Sequence, residues 1–288
     1  MKIATLALGI AFSLAVALVT PLRAQFAYVA NQGGNNVSAY SIGFNGALTP
    51  VPGSPFAAGS GPVSVAVDPT GKFAYVTNNF GNSVSAYSIG PNGALTPVPG
   101  SPFATGGGPQ SVAVDPTGKF VYVYVANSGI PSAVSAYSIG PDGALTSVPG
   151  SPFAAVNVFF SRFRLAVDPT GEFVYVTNNN DSTVSAYSIG SNGALTPVPG
   201  SPFATGRAPY SVAVDPTGKF VYVANQGEGT ISAYSIGPNG ALTPVPGSPF
   251  AGDPGPFQWP WIPRATSPTW QTIMTTPCLR TASIPTGP

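Results

Sequence analysis

Short apolar runs with strand-like alternation recur along this chain, separated by clusters of Gly, Pro, Asn and Asp. Ser64–Val67 is one such run, closed by Asp68-Pro69-Thr70-Gly71. Phe73–Thr77 and Val84–Ile89 follow, rich in aromatic and β-branched residues, with Asn78–Asn82 between them. Gly90-Pro91-Asn92-Gly93 turns the chain again before Ala94–Val98. The pattern predicts four short strands joined by turns. Pro in second place and Gly in fourth suit a type I turn at Asp68–Gly71, and the Asp in first place can cap it. On the second strand Phe73 and Tyr75 point one way, Ala74 and Val76 the other. Both faces are therefore apolar, as a sheet covered on both sides requires. Prolines gather in and beside the fourth strand. Lacking an N–H, they place it at the outer edge and leave the first strand innermost.

This unit is written five times. The tyrosine of its Ala-Tyr-Ser-Ile element recurs at Tyr40, Tyr87, Tyr137, Tyr187 and Tyr234, at spacings of 47, 50, 50 and 47. A fixed period of this size with four strands per unit predicts an all-β fold, a propeller of four-stranded antiparallel blades. The Ser-Val-Ala-Val-Asp-Pro strand appears only four times, with Asp68, Asp115, Asp168 and Asp215, so the first copy starts at Gln25 without its inner strand. The third copy reads Phe120-Val121-Tyr122-Val123-Tyr124-Val125, a strand two residues longer than its siblings, and two is one full strand period.

Composition removes several chemistries. The chain has no histidine and one cysteine, Cys278, which excludes Ser-His-Asp and Cys-His triads, His-based zinc sites and a disulfide framework. Net charge is +1 with 7% charged residues, no footprint for nucleic acid or an anionic membrane. The four aspartates at identical blade positions read as turn caps rather than as a metal ring, and no metal or cofactor is expected. Residues 1–24 read as an export signal: Lys2, an apolar run from Ile3 to Val19, and an exit at Thr20–Ala24. Cleavage after Ala24 and a secreted or periplasmic location are expected; an uncleaved anchor is the rival reading.

Tyr75-Val76-Thr77-Asn78-Asn79 and Tyr175-Val176-Thr177-Asn178-Asn179 resemble the name-giving motif of YVTN β-propeller repeats. The whole unit, from Gln25 to about Ala251, is similar to the lactonase-like seven-bladed propellers, a group that includes 6-phosphogluconolactonases and muconate-lactonising enzymes. The resemblance implies seven blades, of which about five are present. It carries no catalytic motif onto positions of this chain, because the shared motifs are blade scaffold.

After Ala251 the repeat vanishes in a Pro- and Thr-rich tail, residues 252–288. The adjacent frame joins the third base of each codon to the first two of the next. In that frame the genetic code forces alanine at Trp259–Pro260, aspartate at Trp261–Ile262 and alanine at Trp270–Gln271. The remaining codons all permit PVSVAVDPTGNFAYVAN, two free positions, then DNTVSAYSIDPNGA. The tail therefore reads as a frameshifted further blade, with a genuine Pro-rich tail as the alternative. On the frameshift reading Cys278, Trp259, Trp261 and Trp270 carry no function.

Departures from the repeat are the place to look for a site. Entry to the inner strand reads Pro62-Val63-Ser64, Pro109-Gln110-Ser111, Arg162-Phe163-Arg164 and Pro209-Tyr210-Ser211. Gln110, Phe163 and Tyr210 are different residues at one blade position, and Arg162, Arg164 and Arg207 cluster there in a chain with few charges. Asp181 and Glu228 fall in loops expected on the same face. These eight residues form the candidate pocket for a small anionic or sugar-like ligand, with Arg as the anion clamp; drifted surface loop is the plainer reading. Three functions remain open. The first is a secreted propeller that binds a ligand or a protein or cell-surface partner without catalysis. The second is a lactonase-type hydrolase in which Asp181 or Glu228 activates water and Arg164 or Arg207 stabilises the oxyanion. The third is a truncated fragment without function. Sequencing the gene from the codon of Phe250 past that of Pro288 is expected to show the shifted frame running on into further blades. Codons that do not spell the repeat would restore the tail as a true terminus.

Overall fold

The computed structural model describes residues 25–125, 133–155 and 164–252; the predicted export signal, the tail after Gly252 with its frameshift reading, Arg162 and Phe163 lie outside the described residues. The described chain forms five antiparallel sheets. In the second sheet the strands run Pro62–Val67, Phe73–Asn78, Ser83–Ile89 and Leu95–Pro97, in that spatial order, and the short Phe103–Ala104 also pairs with the third strand. The third, fourth and fifth sheets repeat this layout. The first sheet holds Gln25–Asn31, Asn36–Ile42, Leu48–Pro50 and Phe56–Ala57, and has no inner strand among the described residues. The propeller blades predicted from the repeat are present, with the inner-to-outer order predicted from the prolines.

Two details differ from the expectation. The outer strand is split. Leu95–Pro97 pairs with Tyr87–Ile89, and Phe103–Ala104 pairs with Ser83–Val84 farther along the same third strand. Between them Val98-Pro99-Gly100-Ser101 makes a turn closed by Ser101 N–H to Val98 O at 3.1 Å. Gly100 has φ +82°, the value a type II turn asks of its third residue and one that Gly adopts without steric cost. Where the ladder would lapse, the Ser101 hydroxyl oxygen accepts the Ala86 N–H at 2.9 Å, and Ser54, Ser151, Ser201 and Ser248 do the same in their sheets. The second difference lies in the third copy. Phe120–Val125 spans six residues, like Phe73–Asn78, and keeps the sibling register with Val121 opposite Tyr137 and Ala74 opposite Tyr87. The added residues fall between Val125 and Ala133, outside the described residues.

Burial follows the alternation. Ala74 and Val76 pack in one cluster with Tyr28 and Val37 of the first sheet, whereas Tyr75 packs in another with Val112 and Tyr137 of the third. The second, third and fourth sheets are thus walls between two apolar layers, and most of their stability comes from their neighbours. Burial raises the pKa of Tyr28, Tyr75 and Tyr175, so these hydroxyls stay protonated and act as donors.

The four repeated aspartates are turn caps. Asp168, 3% exposed, accepts hydrogen bonds from the N–H groups of Thr170 (3.0 Å), Glu172 (2.8 Å) and Phe173 (2.7 Å) and from the Thr170 hydroxyl. Asp215 does the same with Thr217, Lys219 and Phe220. Burial raises the pKa of the Asp215 carboxyl, but its hydrogen bonds outweigh burial and hold it below the usual carboxylate value of 3.8. A depressed folded-state pKa stabilises the fold above the unfolded value, and this stabilisation disappears as pH falls through the folded one. Urea melts of the wild type are therefore expected to lose stability below about pH 4. Asp215→Asn should be less stable at neutral pH and show a shallower acid-side loss.

Candidate functional site at the inner-strand rim

The inner strands start together at one end of the sheets, at Pro62, Pro109 and Pro209, and in the fourth sheet Arg164 immediately precedes Leu165–Val167. The loops joining second and third strands lie beside these entries. Asn79 N–H donates to Gly61 O at 2.8 Å, Gln226 N–H to Ala208 O at 3.0 Å and Gly227 N–H to Arg207 O at 3.0 Å. The same loops reach the next sheet: Asn79 Nδ2 donates to Pro109 O at 3.3 Å and Asn179 Nδ2 to Pro209 O at 3.1 Å. Strand entries and loops therefore share one rim, as their predicted placement on a common face required.

Arg164 is the centre of this rim. Ser64, Ser111 and Ser211 occupy the matching place in the other sheets. Arg164 is only 8% exposed, unusual for a residue with so large a desolvation cost. Its backbone is fixed by Thr177: the Arg164 N–H donates to Thr177 Oγ1 at 3.1 Å, and Arg164 O accepts the Thr177 N–H at 3.1 Å. Its side chain spans to both neighbouring sheets. Nη1 donates to the backbone carbonyl of Gln110 at 3.0 Å, and the guanidinium carbon lies 5.8 Å from the centroid of the Tyr210 ring. A charge-assisted hydrogen bond and a cation–π contact, the latter worth about 0.5–2 kcal/mol, offset part of the burial cost.

Gln110, Arg164 and Tyr210, named from sequence as departures from the repeat, thus meet directly. Gln110 enters through its main-chain carbonyl. Arg207 and Glu228 are exposed on neighbouring segments of the fifth sheet, where a Cβ on Gly227 would lie 3.0 Å from Arg207 Cγ. Asp181 is exposed, in the fourth-sheet loop whose Asn179 holds the Pro209 carbonyl next to Tyr210. The structure brings neither carboxylate into a described contact with Arg164. Thr177 escaped sequence reasoning because it belongs to the repeated Tyr-Val-Thr-Asn motif, and repetition marks scaffold. Among the described residues no group of three or more His, Cys, Asp or Glu could hold a metal ion.

This geometry, a rim of loops around the inner strands of stacked four-stranded blades, defines a propeller with its candidate site at the mouth of the ring axis. The chain belongs to the lactonase, 7-bladed beta-propeller family, whose model matches residues 17–148 and 161–258. Solved structures share the fold. A candidate 6-phosphogluconolactonase from Bacteroides fragilis has a TM-score of 0.67 at 23% identity over 78% of this chain and 67% of its own. A second, from Bacteroides uniformis, gives 0.69 at 21% identity over 80% and 69%. The periplasmic gluconolactonase of Pseudomonas aeruginosa gives 0.64 at 21% identity over 78% and 69%. No curated protein sequence matches the chain.

Arg164→Met keeps chain length but removes the charge that bridges three sheets. It is expected to lower stability by about 1–3 kcal/mol in urea melts. Arg164→Lys, which keeps charge without the planar fork, should fall between it and wild type.

Proposed function

We propose that this chain is an exported propeller that takes a sugar lactone at the rim around Arg164 and opens it by hydrolysis. The observation that supports it is a buried guanidinium at the strand-entry rim, in a chain that belongs to the lactonase propeller family. In this reading Arg164 faces the developing negative charge on the lactone carbonyl oxygen, and Tyr210 offers its ring to the sugar. A water activated by Asp181 or Glu228 adds to the carbonyl carbon, the ring C–O bond breaks, and the former ring oxygen leaves as a hydroxyl. Arg207, exposed on the fifth sheet, is the second cation available to an anionic substituent such as a phosphate.

Binding without turnover is the second reading. What favours it is the lack of histidine and the exposed position of both Asp181 and Glu228, neither in a described contact with Arg164. The two are separated by following acid release from glucono-δ-lactone and 6-phosphogluconolactone at constant pH, with calorimetric binding of the product acids in parallel. Hydrolysis above the spontaneous rate is expected, reduced about 100-fold in Arg164→Gln. Binding that depends on Arg164 with no turnover would replace the hydrolase by the binding protein. Neither binding nor turnover would remove both.

A further inference from the structure

Four joints connect the five sheets, and each is built alike. The Phe opening a second strand lies over the turn glycine of the following sheet. A Cβ on Gly93, Gly143, Gly193 or Gly240 would come within 2.5 Å of the ring of Phe26, Phe73, Phe120 or Phe173. The second-strand tyrosine donates forward to that glycine's carbonyl: Tyr28 to Gly93 at 3.0 Å, Tyr75 to Gly143 at 3.2 Å and Tyr175 to Gly240 at 3.2 Å. The third-strand tyrosine donates back to the preceding sheet's outer strand: Tyr87 to Ala57 at 2.7 Å, Tyr137 to Ala104 at 2.9 Å and Tyr187 to Ala154 at 3.2 Å.

The two end sheets each carry one half of this joint uncovered. On the fifth sheet Tyr222 is 36% exposed, where Tyr75 and Tyr175 are 0%. Phe220 and Phe250 are exposed beside it, and a groove of about 330 Å³ opens among Ala213, Tyr222, Ala224, Ile231 and Phe250. On the first sheet Leu48 is 55% exposed, where its counterparts Leu95, Leu145, Leu195 and Leu242 are at most 8%. A Cβ on Gly46 would meet nothing within 4 Å. Beside it, no strand among the described residues pairs with the inner edge of Gln25–Asn31.

We propose that these two open faces dock a partner polypeptide made of this chain's own repeat: two blades followed by one inner strand. The count follows from a ring of seven with five blades in place. The chemistry follows from continuity with the four existing joints. The segment offers a turn glycine and a buried leucine to the fifth sheet. It offers a Phe-x-Tyr strand to the first sheet, then a Ser-Val-Ala-Val strand along Gln25–Asn31. The register of Val65 opposite Val76 and Ala66 opposite Tyr75 sets that last strand, with its Val opposite Val29 and its Ala opposite Tyr28. A second whole copy in the same plane brings ten blades to a ring of seven, so its third sheet would collide with the first sheet of its partner.

The test mixes the full chain with a probe consisting of residues 62–108 written twice and followed by residues 62–71. An equimolar complex in sedimentation and one sharper melt at higher temperature are expected. Tyr222→Asp and Leu48→Asp should each weaken binding at least about tenfold. Phe80→Asp, at an exposed loop position of the second sheet away from both end faces, should not. The peptide 62–71 alone needs no folding of its own; it should raise the melting temperature of the full chain, and its scrambled version should not. The proposal is overturned by the absence of both effects, or by a complex indifferent to Tyr222 and Leu48. Self-association of the chain alone that those variants abolish would make a second copy the occupant and overturn it. Probe binding only after removal of residues 253–288 would assign the face to that segment and overturn it likewise.

Discussion

A four-stranded sheet with two apolar faces cannot stand alone in water, and every other feature of this chain follows from that constraint. Each blade must be covered twice, so the blades stack, and each junction needs a way to hold its angle. Packing of Val and Ala supplies the attraction, which is non-directional. Direction comes from the tyrosines. Tyr75 reaches forward to Gly143, and Tyr137 reaches back to Ala104, so two long-range hydrogen bonds cross one joint in opposite senses. The glycine at the receiving turn has a double role. Gly143 has φ +84°, and any Cβ there would strike the Phe73 ring. Its invariance across the repeats is thus a packing requirement as much as a turn requirement.

The candidate site arises where one blade departs from this scheme. Ser64, Ser111 and Ser211 are small groups tucked at the start of an inner strand. Arg164 at the same place is much larger and carries a charge, and the fold accommodates it by letting the guanidinium run sideways into both neighbouring sheets. A repeat architecture makes such a change possible without redesign, because the strand register is held by backbone pairing and by Thr177. Arg164, with the neighbouring departures Gln110 and Tyr210, thus marks out a sector spanning the third, fourth and fifth sheets.

The fold was legible in the sequence because the same evidence was written several times over. Turn chemistry at Asp68–Gly71, alternation in Phe73–Val76 and the edge prolines each predicted a feature that the structure contains. The split outer strand was not legible. Its signal, Gly-Ser-Pro-Phe, reads as a loop, and only the structure shows the Ser101 hydroxyl standing in for a ladder partner. The meeting of Gln110, Arg164 and Tyr210 was legible from their adjacent positions at the entry to the inner strand of each repeat. The means of contact was not, since a backbone carbonyl has no sequence signature. Loop order alone puts Asp181 and Glu228 in the loops between second and third strands, and sequence says nothing of how far a loop side chain reaches.

The broken outer strands bear on the edge-to-edge pairing open to so uncharged a protein. With 7% charged residues, mutual repulsion between molecules is weak. A propeller shows one strand edge per blade around its perimeter, and a long straight edge would recruit strands from other molecules. Here each edge is cut into pieces of three and two residues with a Pro-Gly-Ser-Pro segment between them, or its close equivalent. Neither piece is long enough to template a foreign strand, and the prolines between them offer no N–H. An obstacle to edge-to-edge pairing is thus present on the perimeter once per repeat, in the same residues that shape the blade.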